Sequence, residues 1–347
     1  MKSISRTTIL TALFLTTISA FAQSSLTAVT EQNHKLTEVL SDAKWTSLSE
    51  KDKNDLRQQG KVVVITGARF AYPLVQKWID EYNKTNPEAQ IIIEARGSSD
   101  PANYDILVEA YEQDEKVRDS RDYLYVGRYA ILPVANSKSA FAKLYSDKGL
   151  NQDLFNQLFF HDIYADKDKE QKIKVPYTVY TRLQKAGAPI VFTKYFGYEQ
   201  KDIKGKAIAG SDEHLMKALL RDSTGLTYLP LTLIYDHATG KPLEGLTVLP
   251  VDLNGNGRVS DDEKIYGDLS SVVKHFEEAN QKDIKNVPTE YLHLSVSKQN
   301  TNPEAIAFLK WVNSNGQRDL HQFGFLKPES SHVDAEKFDQ FVSKKPN

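Results

Sequence analysis

The chain has 347 residues, 40% hydrophobic and 26% charged, with a formal net charge of −2. That balance is globular, and the length exceeds one simple core, so two lobes or domains are expected. The small negative charge excludes a basic surface for nucleic acid or anionic membrane; the absence of cysteine excludes thiol catalysis, thiolate metal sites and a lipidated amino-terminal Cys.

Residues 1–22 read as a signal peptide. Lys2 and Arg6 precede the apolar run TTILTALFLTTI, and Ala20, Phe21 and Ala22 supply small residues around a cleavage point. The run of about 12 residues is short of the roughly 20 that span a bilayer. No later segment is long and apolar enough to span. The mature chain is therefore expected in the periplasm or medium, without a membrane span and as a monomer.

Residues 23–58 are polar with weak helical periodicity and read as an amino-terminal helical cap, with helix-start chemistry at Ser47–Asp52. Lys61–Gly67 is a β-branched run ending at glycine, a buried strand. Leu74, Val75, Trp78, Ile79 and Tyr82 then recur at helical spacing behind Pro73. The segment AQIIIEARG is a second buried strand. Asp100–Pro101 reads as the cap of a helix carrying Ile106, Leu107 and Ala110. Alternating strands and helices predict an α/β unit with a parallel sheet.

Asp122–Asn136 is a long extended segment, and residues 137–175 look helical and charged. VPYTVYTR is a strand, and the next segment opens a helix with Gly187 before it and Pro189 in its first turn. A helix capped by Ser211 follows. GLTYLPLTLIYD and GLTVLPVD read as strands, Asp268–Asn280 as a helix, TEYLHLSVSK as a strand, and the remainder to Phe325 as helix, turn, helix.

Residues 252–263, DLNGNGRVSDDE, match a calcium loop at every position. Oxygen ligands are needed at positions 1, 3, 5, 7, 9 and 12 with glycine at 6. These are Asp252, Asn254, Asn256, the Arg258 carbonyl, Ser260 and Glu263, with Gly257 at the turn. A strand rather than a helix precedes the loop, which predicts a structural calcium and not a sensor.

Three loops share one chemistry. Thr66-Gly67-Ala68-Arg69-Phe70, Gly97-Ser98-Ser99 and Ala186-Gly187-Ala188 each join a strand to a helix start. Amide groups and the helix dipole there favour a negative ligand, and small residues let it approach. Together they resemble the periplasmic phosphate-binding proteins of ABC importers. TGARFAYPLVQKWIDEY resembles that family's opening segment, EARGSSDP its serine loop, and RLQKAGAPIVFTKYF its arginine and following helix; TGLTYLPL and the segment from Asn302 to Phe325 match in kind.

The resemblance spans roughly residues 60–326. It implies an α/β fold of type II with two lobes, each a central sheet flanked by helices. It implies lobe one at 59–130 plus 291–347 and lobe two at 131–290, with hinge strands near Ile131–Val134 and Tyr291–Val296. It also implies a small anion, phosphate above all, held by Thr66, Ala68, Arg69, Phe70, Ser98, Ser99, Arg182, Gly187 and Ala188, and delivery to a permease. The sequence departs from the family at Ala186 and Ala188, where hydroxyl donors stand, and at Arg69, which replaces a threonine. Glu109 is the candidate for the family's acidic ligand residue.

Three other readings stand beside it. Tyr123, Tyr125, Tyr177 and Tyr180 offer rings for a sugar, the chain could bind another oxyanion, or it could be a secreted adhesive protein. An enzyme is disfavoured: no two histidines have i, i+4 spacing and there is no Gly-x-Ser-x-Gly elbow.

Overall fold

The computed structural model describes residues 42–94, 100–161, 173–279, 283–300 and 302–329. The expected signal peptide, the first half of the cap, and Ser98 and Ser99 lie outside the described residues.

The cap begins as two helices, α1 (Asp42–Ser47) and α2 (Glu50–Gln58). Ser49 caps α2, its hydroxyl accepting the Asp52 N–H at 3.2 Å. Few apolar side chains hold this cap. Trp45 packs with Val62, Val64, Ile92 and Tyr104, and Arg57 pairs with the buried Asp105 at 3.0 Å.

Among the described residues, nine strands form one curled sheet. They are β1 (Val63–Gly67), β2 (Ile91–Ile93), β3 (Ile106–Glu109), β4 (Arg121–Asn136), β5 (Thr178–Arg182), β6 (Lys206–Ile208), β7 (Gly225–Pro230), β8 (Leu246–Val248) and β9 (Thr289–Ser297). Their order is β2-β1-β3-β9-β4-β7-β5-β6, with β8 also on β4. β1 is parallel to β2 and β3, and β5 is parallel to β6 and β7. The two long antiparallel strands β4 and β9 join these parallel groups. β4 changes partner along its length: Arg121–Ala130 pairs with β9, and Ile131–Ala135 pairs with β7.

The residues Ile106 to Ala110 correct a sequence expectation. Their spacing suits a helix, but Ile106–Glu109 is strand β3, held between β1 (Ile65 opposite Ile106) and β9 (Ile106 opposite Val296). Only a one-turn helical segment, Pro101–Asn103, follows the Asp100 cap. Leu231–Ile234, read as strand, is one helical turn after Pro230. The expected second carboxy-terminal helix is two short turns, Gly316–Asp319 and His321–Phe323.

The helices cover the sheet. α3 (Tyr72–Asn83) has Pro73 in its first turn and buries Leu74, Val75, Trp78, Ile79 and Tyr82, the side chains its spacing predicts. Trp78 is fully buried, and its Nε1 donates to the Gly316 carbonyl at 2.9 Å. α4 (Ala140–Lys148) and α5 (Gln152–Phe159) follow β4. Helix α6 (Gly187–Tyr195) follows β5, α7 (Asp212–Arg221) follows β6, α8 (Leu269–Glu278) follows β8, and α9 (Pro303–Asn315) follows β9. An aromatic stack fixes α6 on the sheet: Phe192 lies on Tyr228 with ring centroids 3.9 Å apart and planes within 2°.

Candidate functional site

The parallel groups put strand ends and helix starts on one side, where ligands of open α/β sheets bind. A cavity of about 490 Å³ opens there. The end of β1 brings Gly67, Ala68, Arg69 and Phe70 to it. β3 and the following loop bring Glu109, Ala110, Tyr111 and Gln113. β5 and its loop bring Arg182, Lys185, Ala186, Gly187 and Ala188, and the start of α7 brings Asp212. Arg69, Phe70, Arg182, Gly187 and Ala188, far apart in the chain, thus share one cavity.

Their roles are not equal. Thr66 is buried behind the cavity, its hydroxyl aimed at the Glu94 carbonyl at 3.3 Å. The N–H of Gly67 donates to the Tyr72 hydroxyl at 3.0 Å, and that of Ala68 to the Val108 carbonyl at 2.8 Å. These amides are committed to the fold. Gly67 has φ +127°, and a Cβ there would stand 2.1 Å from the Val108 carbonyl oxygen, so only glycine closes this corner. The anion-favouring groups that remain are the Arg69 side chain, exposed at the rim, and the first turn of α6. Gly187 and Ala188 open that helix, and their N–H groups have no acceptor within it.

Gly187 also lies against the opposite wall. A Cβ on it would stand 2.6 Å from the Ala110 Cβ. The two sides of the cavity touch here, and any side chain at 187 would hold them apart.

Arg182 is not open to a ligand as the sequence alone implies. Its Nη1 pairs with the Asp212 carboxylate. Its Nε is shielded without a hydrogen-bond partner among the described residues. Sequence reasoning missed Asp212, because an acid in a helix's first turn is already explained by the dipole.

Glu109 lines the cavity and is 3% exposed. The Ser295 hydroxyl donates to its Oε2. Arg121 in turn donates from Nε to that hydroxyl at 2.8 Å. Oε1 has no hydrogen-bond partner among the described residues. Burial pushes the Glu109 carboxyl above the usual carboxylate range, against a smaller pull from Ser295. His293 sits opposite it on β9, its Nε2 3.9 Å from Oε2, and burial pulls its imidazole down to about 4.

The four tyrosines offered for sugar stacking lie elsewhere. Tyr123 and Tyr125 pack on His293, Tyr177 on Phe141, and Tyr180 donates to Asp222 at 2.9 Å. The aromatic residues of the cavity are Phe70 and Tyr111.

The loop at 252–263 is a separate centre. Asp252 and Glu263 are 1% and 3% exposed. The Asp252 carboxylate accepts the N–H groups of Gly255, Asn256 and Gly257 at 2.8–3.0 Å. Glu263 accepts those of Leu253, Asn254 and Ser260 at 2.7–3.1 Å. The side-chain oxygens of Asn254 and Asn256 each accept an N–H two residues on, at 3.0 Å. Gly257 has φ +93°. Two carboxylates, two amide oxygens and the Arg258 carbonyl make a hard-oxygen donor set, which fits calcium and not a transition metal. No group of three His, Cys, Asp or Glu side chains is placed to hold a metal among the described residues.

The loop is tied to the cavity from behind. The Asp252 carbonyl accepts the Asn286 side-chain amide at 2.7 Å. The Asn286 N–H donates to the hydroxyl of Tyr195 at 2.8 Å, and Tyr195 ends the helix that Gly187 begins.

Among solved structures, the chain is similar to a protein described as a phosphate ABC transporter substrate-binding protein from Clostridium perfringens, with bound phosphate. The identity is 14% and the TM-score 0.57, over 77% of this chain and 100% of that one. An ABC-type phosphate transport receptor from Vibrio cholerae matches at 14% identity and TM-score 0.49, over 77% of this chain and 100% of that one. The regulatory domain of a LysR family regulator from N. meningitidis matches at 10% identity and TM-score 0.46, over 77% of this chain and 100% of that one. No family model and no curated protein matches the chain. The fold is the two-lobed α/β fold of the type II periplasmic binding proteins. No helix among the described residues is long and apolar enough to cross a membrane.

Proposed function

We propose that the protein is a periplasmic solute-binding protein that captures phosphate or a similar small oxyanion in the 490 Å³ cavity and hands it to an ABC permease. One observation carries this reading. Arg69, Arg182 and the start of α6 at Gly187 and Ala188, brought from both parallel groups, line one cavity at the strand ends. Guanidinium groups and helix-start amides are the groups that recognise oxyanions. The likeness to a structure described as holding phosphate supports the same class of ligand.

The chemistry is capture, not turnover. The ligand's negative oxygens meet Arg69 and the α6 amides. The two walls, in contact at Gly187 and Ala110, close around it by movement of one lobe against the other. Arg182 joins by exchanging Asp212 for the ligand. The protein works as a monomer, and a structural calcium held by Asp252, Asn254, Asn256, the Arg258 carbonyl, Ser260 and Glu263 braces the second lobe.

Calorimetric titration with phosphate, sulfate, molybdate and small sugars tests the reading. Heat of binding with an oxyanion that Arg69→Ala abolishes supports it. Tight sugar binding without an oxyanion response overturns it.

A further inference from the structure

Glu109 does not fit a receptor for a bare anion. It is a carboxylate 3% exposed on the wall of an anion site. Of its two oxygens, one is held by Ser295 and the other has no hydrogen-bond partner among the described residues. An unmade buried hydrogen bond is costly, and such an atom in a native protein calls for a missing partner. Beside a bound oxyanion its negative charge is also repulsive, unless the ligand itself brings positive charge or a proton donor to it.

The rest of the cavity points the same way. Its other carboxylate, Asp212, is satisfied by Arg182. Phosphate alone asks for donors on every side, yet Ala68, Phe70, Ala110 and Ala188 give apolar wall. The volume of about 490 Å³ falls within the range of sites for organic ligands, roughly 300–1,000 Å³.

We propose that the cavity takes a small zwitterion: an oxyanion at Arg69 and the start of α6, a short aliphatic stretch along the alanines, and an ammonium group at Glu109. The proposal rests on the cavity being the ligand site of a solute-binding protein and names the ligand class within it. Phosphoryl and carboxylate ends share the oxyanion chemistry.

The test is calorimetric titration of the full chain and of Glu109→Gln. Phosphoethanolamine is compared with ethyl phosphate, β-alanine with propionate, and both pairs with inorganic phosphate. The proposal expects the amine to tighten binding at least tenfold in one pair, which also tells phosphoryl from carboxylate. Glu109→Gln, its folding checked by thermal melting, brings that ratio close to one, and Glu109→Asp retains part of it. Ethyl phosphate or inorganic phosphate binding as tightly as phosphoethanolamine, with no gain for β-alanine over propionate, overturns the zwitterion and leaves anion capture standing. An amine gain that persists in Glu109→Gln overturns the role of Glu109. No binding in either pair or with phosphate overturns both.

Discussion

Arg182 and Asp212 form an ion pair on the wall of the cavity, joining the end of β5 to the first turn of α7. The pair occupies the guanidinium face that an incoming oxyanion needs. Asp212→Asn is therefore expected to raise oxyanion affinity about tenfold, near 1.4 kcal/mol. Arg182→Ala should lower it by more, because it removes a charged donor and leaves Asp212 unpaired against the anion. A charged hydrogen bond of about 1.5–3 kcal/mol corresponds to a roughly 10- to 150-fold loss. Titration of both variants with one oxyanion checks the opposite signs.

A second prediction concerns pH. His293 is 1% exposed and its pKa falls from 6.5 to about 4. Between those values the unfolded state binds more protons than the folded one. The stability His293 contributes as a neutral ring is present above pH 6.5 and is lost as pH falls toward 4, up to about 3 kcal/mol. Glu109, raised by burial, works the other way: the folded state keeps its proton longer, and stability falls as pH rises above the ordinary carboxylate value. His293→Phe should flatten the acid limb of a plot of melting temperature against pH, and an unchanged limb would refute this.

Calcium gives a third. The loop's Asp252 holds Asn286, and Asn286 holds Tyr195 at the far end of α6. At a free calcium about 100 times the dissociation constant, the ion would add about 2.7 kcal/mol. Chelation should lower the melting temperature by several degrees and weaken oxyanion binding through α6. Glu263→Gln should make the protein insensitive to the chelator. An unchanged melting curve on chelation would remove calcium from the account.

A fourth rests on packing. Trp78 fills the space between α3 and the Gly316 turn, and its indole N–H is bonded there. Trp78→Ala should destabilise the fold by about 3–5 kcal/mol in denaturant unfolding. Its effect on affinity, measured below the unfolding transition, should be small.

Much of this architecture is legible in the sequence. The β-branched run before Gly67, the long segment ending at Asn136 and the 3.6-residue spacing from Leu74 to Tyr82 each carry their own element. Other elements are set by neighbours. Ile106–Glu109 becomes a strand because β1 and β9 lie on either side of it. Lys206–Ile208 is a short edge strand with no apolar alternation, so nothing local announces β6. The site divides in the same way. Arg69, Arg182 and Gly187 are readable from loop chemistry. The commitment of the Ala68 amide to Val108 and of Arg182 to Asp212 depends on contacts across the fold. Glu109 stands out only when its burial and its unpaired oxygen are known.

The central claim is that an oxyanion sits between Arg69 and the first turn of α6. A crystal structure of the protein purified without added ligand tests it most directly. The account predicts density for a small oxyanion within hydrogen-bond reach of Arg69 and of the Gly187 and Ala188 amides, with Arg182 turned from Asp212 toward it. Water alone in the cavity, or a neutral ring stacked on Phe70 with the Arg182–Asp212 pair intact, would contradict it.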